Sequence, residues 1–170
     1  MNRGISLLVL IGAALLCHAQ QNGSLCVKAN TGRAGVFVDG KYLGPAANFR
    51  VARTYPVSAG QHELKLVDPR YEELTTKVTI TAGKKTTVQE TLKELPSPKP
   101  PFGRLRTHSE DKFAAVYVND KYMGHADEFD NFAQGLLLNP GEYLVRIVPA
   151  SGSPVTQTVK IEADKTVIVK

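Results

Sequence analysis

Two short stretches decide the fold of this chain: VFVDGKYLG at Val36–Gly44 and VYVNDKYMG at Val116–Gly124. Five of their nine positions are identical, and the two stretches lie 80 residues apart. The likeness continues beyond them, since Gly60 and the pattern that follows it recur at Gly141, with one extra residue gained between Gly124 and Gly141. A period this long indicates two domains in tandem rather than a solenoid, whose units are about 20–50 residues.

The residue pattern of both copies predicts β-strands. Leu64 and Leu66 alternate with polar neighbours, as do Val78 and Ile80, and such period-two alternation between turn residues is typical of an antiparallel sandwich. The fold class that we predict is all-β, with two tandem small antiparallel β-sandwich domains. The only segment with a pattern compatible with a helical turn is 126–134.

The repeated stretch contains a hairpin signal. Asp39-Gly40 predicts a tight type I′ turn, because glycine tolerates a positive φ. Asn119-Asp120 occupies the same place in the second copy, and aspartate enters the left-handed region less readily than glycine. We therefore expect the second turn to be weaker or wider.

The N-terminal residues predict export. Arg3 precedes an apolar run at Ile5–Leu16, and Ala19 supplies a small residue at a cleavage position, so residues 1–19 are predicted to form a secretory signal peptide. The run is shorter than the roughly 20 apolar residues that span a bilayer. Lipoprotein processing at Cys17 is a less favoured alternative, because the large Leu16 precedes it.

A proline-rich segment separates the two copies. Pro96, Pro98, Pro100 and Pro101 disfavour regular structure and predict an extended, semi-rigid linker at residues 93–103. The predicted domains are then 20–92 and 104–170. The prolines favour separate beads on a string, although the sequence leaves open whether the domains pack together.

Charge is distributed unevenly between the copies. Residues 20–95 carry 11 Lys and Arg against 7 Asp and Glu, whereas residues 96–170 carry nine of each. A mild basic excess favours polyanions such as wall polymers, with an ordinary solvated surface as the alternative. The candidate ligand contacts on this account are Arg50, Arg53, Lys84 and Lys85.

Tyr42 and Tyr122 recur in the same register after the hairpin. An exposed tyrosine could stack on a sugar ring, which makes both residues candidate ligand contacts. The alternative is that each ring packs against the edge of its sandwich while its hydroxyl stays in water.

No constellation of residues indicates catalysis. Cys26 is predicted to be a core residue, with a disulfide to a second chain as the alternative. The segment 125–130, HADEFD, is predicted to be an acidic solvated loop, with a weak calcium site as the alternative. It differs from its counterpart PAANFR (45–50) more than any other part of the repeat. We predict no catalytic, metal-binding or cofactor-binding residues, and no cofactor.

The V-x-V-D-G-x-x-x-G pattern at Val36–Gly44, the strand after Gly60, Tyr71, and V-x-I-x-x-G at Val78–Gly83 together resemble the PEGA domain family. The name-giving motif is degenerate in both copies, which read TGRAG at 31–35 and DKFAA at 111–115, and the first copy is the better match. The resemblance implies small transthyretin-like or immunoglobulin-like sandwiches in secreted and surface proteins of prokaryotes. It implies no catalytic residues.

We therefore predict a non-enzymatic, exported cell-envelope protein, either periplasmic, at the cell surface or extracellular. Its tandem modules would bind or space a wall polymer or surface polysaccharide. The alternative is a protein–protein adaptor that pairs an exposed sheet edge with a partner strand. A small secreted enzyme or a calcium-dependent adhesin is the least favoured reading. Neither a nucleic-acid partner nor a transmembrane helix in the mature chain is predicted.

Overall fold

The computed structural model of the protein describes residues 21–49, 55–131 and 134–170, and within these ranges the fold is nearly all β-strand. The strands of the first copy are β1 (Asn22–Ala29), β2 (Gly35–Val38), β3 (Lys41–Pro45), β4 (Tyr55–Ser58), β5 (Gly60–Val67), β6 (Leu74–Ile80) and β7 (Lys85–Glu90). Those of the second are β8 (Gly103–Thr107), β9 (Ala115–Val118), β10 (Lys121–His125), β11 (Leu136–Leu138), β12 (Gly141–Val148), β13 (Val155–Ile161) and β14 (Thr166–Val169). The predicted all-β class is confirmed.

The two copies have the same sheet topology. In the first, a four-stranded sheet ordered β3-β2-β5-β6 faces a three-stranded sheet ordered β4-β1-β7. In the second, the corresponding orders are β10-β9-β12-β13 and β11-β8-β14. We call these two units the first and the second sandwich.

Most strand pairs are antiparallel as expected, and one pair in each sandwich is parallel. β1 pairs in parallel with β7, and β8 pairs in parallel with β14. After β6 or β13, the chain crosses from the four-stranded sheet to the opposite sheet. There its last strand runs alongside the first strand in the same direction.

Each sandwich buries a core of its own. In the first, Leu25 and Leu64 belong to one buried cluster and are fully shielded from solvent. In the second, Leu105 and Val145 hold the equivalent places and are shielded to the same degree. These side chains come from facing sheets, which accounts for the alternation seen in the sequence.

The two hairpin turns have the same width. Asp39 and Gly40 both have positive φ, as do Asn119 and Asp120, and each turn has two residues between paired strands, so the expectation of a wider second turn is wrong. The side chain of the first turn residue holds each turn in place. The Oδ1 atom of Asp39 accepts the backbone N–H of Glu63 at 2.9 Å, and Asn119 Oδ1 accepts a backbone N–H of β12 at the same distance.

The glycine that ends each repeated stretch sits at a β-bulge. The register shifts between Tyr42 and Gly44 in one hairpin and between Tyr122 and Gly124 in the other. Both glycines have strongly positive φ, +142° and +148°, which side chains disfavour. The two positions therefore need glycine for the backbone.

Two short helical segments occupy equivalent places. A 3-10 turn at Ala46–Phe49 follows β3, and the five-residue helix α1 (Ala126–Asp130) follows β10. The helical turn expected within 126–134 is therefore present. Each segment buries a phenylalanine, Phe49 or Phe129, in the core of its own sandwich.

The sandwiches pack against each other rather than standing apart. On β2, Val36 and Val38 join the core of the first sandwich, while Phe37 joins a separate buried cluster shared with the second.

The proline-rich segment follows the surface of both sandwiches. Near its start, the Leu95 N–H donates to the Arg70 carbonyl of the first sandwich at 2.7 Å. Farther along the segment, two backbone carbonyls accept hydrogen bonds from the side chain of Asn139 in the second sandwich. The arrangement of beads on a string that the prolines favoured is not the one observed.

Candidate functional site

The contact between the sandwiches pairs equivalent faces. Its buried cluster contains Phe37 and its counterpart Tyr117, Tyr42 and its counterpart Tyr122, each pair 80 residues apart. The centres of the contacting rings lie 5.3 to 5.9 Å apart, within the range of favourable aromatic pairs. The two repeated tyrosines meet each other, because their hydroxyl groups lie 3.3 Å apart. The interface thus has approximate two-fold character.

This packing uses the ring faces that a sugar would need. Tyr122 is only 3% exposed, and a Cβ atom added at Gly35 would lie 2.6 Å from its ring. Tyr42 is half-buried beside it. Burial raises the pKa of both phenols well above the usual value, so both hydroxyls stay neutral at physiological pH. The geometry does not support a stacking platform at Tyr42 and Tyr122, and their role is to join the sandwiches.

Beside this interface lies a cleft of about 420 Å³, the candidate functional site. Its walls come from both sandwiches and from the proline-rich segment. Apolar surface is supplied mainly by Leu95, Pro96, Met123, Leu136 and Leu137, and charge by two arginines and two acids. Clefts at the junction of two domains, apolar with a few placed polar groups, are frequent ligand sites.

One charged wall is built on the buried carboxylate of Asp68, which follows β5. Its side chain is 1% exposed and accepts hydrogen bonds from the Arg70 side chain and, at 2.9 Å, from the Thr31 hydroxyl. Burial alone would raise the pKa of Asp68, but these hydrogen bonds outweigh burial, and the pKa lies below the usual value. The ionised Asp68 therefore orients Arg70, whose side chain is 51% exposed.

The other charged wall joins the two sandwiches. Arg33, in the loop between β1 and β2, places its Nε 2.5 Å from Oε2 of Glu128 on helix α1. The other oxygen of Glu128 lies 2.6 Å from Nδ1 of His125. The Glu128 side chain is 9% exposed and that of Arg33 is 47% exposed. As on the first wall, the acid is buried and the guanidinium faces solvent.

These residues were not predicted as a site from the sequence. The sequence signal was nonetheless present, because each stands where the two copies differ: Arg33 corresponds to Phe113, Arg70 to Ser151, and Glu128 to Asn48. Only the segment containing Glu128 was singled out as a departure. The structure brings it against the first sandwich, where it pairs with an arginine.

The predicted basic contacts lie elsewhere. Lys84 and Lys85 are exposed at the turn between β6 and β7, and neither lines the cleft. Arg50 and Arg53 lie outside the described residues.

The residues weighed for other chemistry are accounted for by the fold. Cys26 is a free, buried thiol whose Sγ donates to the Phe49 carbonyl at 3.2 Å, out of reach of a second chain. In the described ranges, no three potential metal ligands are grouped closely enough to hold an ion. The acidic segment forms helix α1 instead of an open loop.

Comparison with known protein families finds a match over part of the chain. Residues 22–96, which include the strands of the first sandwich, match the family model of the PEGA domain. No curated protein matches the sequence. Among solved structures, the Bacillus anthracis TIE protein aligns with 88% of this chain at 15% identity and a TM-score of 0.34. The chain spans about a third of the length of that protein, 34%.

PEGA domains are typical of exported proteins and are not known as enzymes. The domain therefore indicates an extracellular or periplasmic β-module. Over the residues that the structure describes, no helix has the length and apolar character that crossing a bilayer requires.

Proposed function

We propose that this chain is a non-enzymatic, exported binding module of the cell envelope, and that it holds a wall polymer or surface polysaccharide at the cleft between its sandwiches. The observation that carries the proposal is the arrangement of charge in this cleft. Both acids are buried, at 1% and 9% exposure, whereas Arg33 and Arg70 are about half exposed. The charged groups that a ligand would contact are therefore guanidiniums, which donate strong hydrogen bonds to the acidic groups of an anionic polymer.

The proposed domain organisation follows the repeat. Residues 1–19 would direct export, residues 20–92 and 104–170 would form the two β-domains, and residues 93–103 would link them. Because the sandwiches pack through Phe37, Tyr42, Tyr117 and Tyr122, they present one cleft of defined shape. Independent tandem sites would instead raise avidity through a flexible linker. The packed arrangement favours a single composite site.

Co-sedimentation of residues 20–170 with isolated sacculi and with envelope polysaccharides, at low and high salt, tests this function. We expect salt-sensitive binding that falls strongly in Arg70→Gln, because exposed charge interactions are screened by ions. Lys28→Gln removes an exposed positive charge outside the cleft and serves as the matched control. The absence of sedimentation at either salt would contradict polymer binding.

A paired variant, Lys84→Gln with Lys85→Gln, separates the cleft from the basic turn. We expect it to bind nearly as well as the parent chain. If it loses binding while Arg70→Gln keeps it, the polymer lies on the turn, together with Arg50 and Arg53 as further candidate contacts, and the cleft assignment is wrong.

A second candidate function is a protein adaptor that uses the sheet edges. β6 and β13 are seven-residue outermost strands of the four-stranded sheets, each with a single lysine. Edges of this kind accept a partner strand through backbone hydrogen bonds. Crosslinking in envelope fractions at low and high salt tests this function. A partner held by edge pairing should be captured at both salt concentrations, and a partner captured only at low salt would exclude edge pairing.

A further inference from the structure

We infer that the cleft recognises the peptide portion of the wall polymer, a short extended peptide with a free carboxylate beside small aliphatic side chains, rather than the sugar chains. This inference rests on the function proposed above and names the part of the polymer that is bound. It is carried by three features of the cleft: the oriented guanidiniums, the aliphatic walls and the backbone of the proline-rich segment.

The guanidiniums are positioned before any ligand arrives. Arg70 uses its Nε and one terminal nitrogen on Asp68 and Thr31, and Arg33 uses its Nε on Glu128. This leaves one terminal nitrogen of Arg70 and both terminal nitrogens of Arg33 without a partner among the described residues. The two terminal nitrogens of Arg33 match the two oxygens of a carboxylate, and Arg70 can add a further hydrogen bond. Guanidiniums already held in place lose little freedom on binding.

The walls of the cleft are aliphatic. Leu137 is 48% exposed and Leu95 is 37% exposed, while Leu136 and Met123 are half-buried next to them. Phe129 is the aromatic residue among the described lining residues, and it is 4% exposed. A sugar ring would find no free aromatic face here, whereas a small aliphatic side chain would bury apolar area against leucine and proline.

The proline-rich segment supplies backbone groups. Leu95 N–H is bound to the Arg70 carbonyl, but Ser97, between two prolines, has no hydrogen-bond partner in the ranges described. Ser97 lines the cleft. An extended peptide laid along this segment could exchange backbone hydrogen bonds with it, with its carboxylate at the arginines and an aliphatic side chain toward Leu137.

The decisive experiment compares two preparations of sacculi. One is intact, and the other has been treated with an amidase that removes the peptides and leaves the glycan strands. We expect residues 20–170 to bind intact sacculi and to bind the stripped glycan at least about tenfold more weakly, since hydrogen bonds to charged groups are worth at least that much. Equal binding to both preparations would overturn the inference while leaving the proposed function in place.

A small probe locates the contact. N-acetyl-Ala-Ala-Leu with a free carboxylate, and the same peptide as its amide, are titrated into the labelled protein while amide chemical shifts are followed. We expect the acid to move the signals of Arg33, Arg70 and Ser97, and the amide to bind about tenfold or more weakly. Equal affinity for acid and amide would contradict carboxylate recognition.

Two exposed leucines give a matched pair of variants. Leu137→Glu places a negative charge in the cleft, whereas Leu144→Glu places one on β12, at a similar exposure of 41% but away from the cleft. We expect the first to abolish peptide binding and the second to leave it unchanged, with both chains folded by circular dichroism. If intact sacculi fail to bind while the acid peptide still binds the parent chain, the polymer function fails and peptide recognition stands.

Discussion

The first and second sandwiches share a topology but differ in the residues that face the cleft. Equivalent strands carry equivalent core residues, such as Leu25 and Leu105, and equivalent turns carry equivalent hydrogen bonds. In contrast, Asp68 corresponds to Pro149 and Glu128 to Asn48, so that each sandwich contributes one buried acid that the other lacks. The shared residues maintain the fold twice, and the unshared ones build a single site.

The largest expected effect tests whether the two cores form one folding unit. Leu25→Ala and Leu105→Ala each remove a fully buried side chain, and each should lower the free energy of unfolding by about 2–5 kcal/mol. Because the sandwiches share a buried aromatic cluster, urea unfolding followed by circular dichroism should show one transition that both variants shift.

Two resolved transitions, with each variant shifting only one of them, would contradict that prediction. They would mean that the aromatic contact contributes little and that the sandwiches unfold as independent domains. Leu144→Ala is the control because it removes the same side chain from an exposed position. It should change the free energy of unfolding by less than about 0.5 kcal/mol.

The next effect concerns the interface itself, where the two repeated tyrosines are buried to different degrees. Tyr122→Ala should destabilise the chain by about 3 kcal/mol, since its ring is nearly fully buried among other rings. Tyr42→Ala should cost less, because its ring is only half-buried. Thermal unfolding of both variants and of the double variant measures the two costs and their coupling. Equal costs, or no coupling, would argue against direct contact between the rings.

The smallest effect is a pH dependence that arises from a histidine of the first sandwich. His62 Nδ1 lies 2.6 Å from Asp39 and Nε2 lies 2.8 Å from the Ser58 carbonyl, and the hydrogen bond to Asp39 raises the pKa of His62 above its ordinary value of 6.5. A raised pKa stabilises the fold below pH 6.5, and this contribution is lost as the pH rises through the folded pKa.

Tyr143 replaces this histidine in the second sandwich, so His62→Tyr installs the residue of the other copy. The difference in melting temperature between parent and variant should change by about 1–2 °C between pH 5.5 and pH 8.5, because the pair is partly exposed and worth little. A difference that does not vary over this range would show that His62 has no raised pKa.

Much of the fold could be predicted from sequence because period-two alternation and turn residues are local signals. The strand β5 and the turn at Asp39-Gly40 were readable in this way. The parallel pairing of β1 with β7 was not, since it depends on which sheet the last strand joins. The width of the second turn was misjudged because the side-chain hydrogen bond of Asn119 to β12 joins residues far apart in sequence.

The sequence by itself determined that the chain repeats one β-domain and that the first copy resembles the PEGA domain, because the repeated stretch and the strand pattern after it are local signals. Only the tertiary structure decided that Tyr42 and Tyr122 meet and that Arg33, Arg70, Asp68 and Glu128 surround one cleft. These groups come from distant parts of the chain. Their proximity depends on how two sheet faces pack, and no periodicity within either copy records that packing.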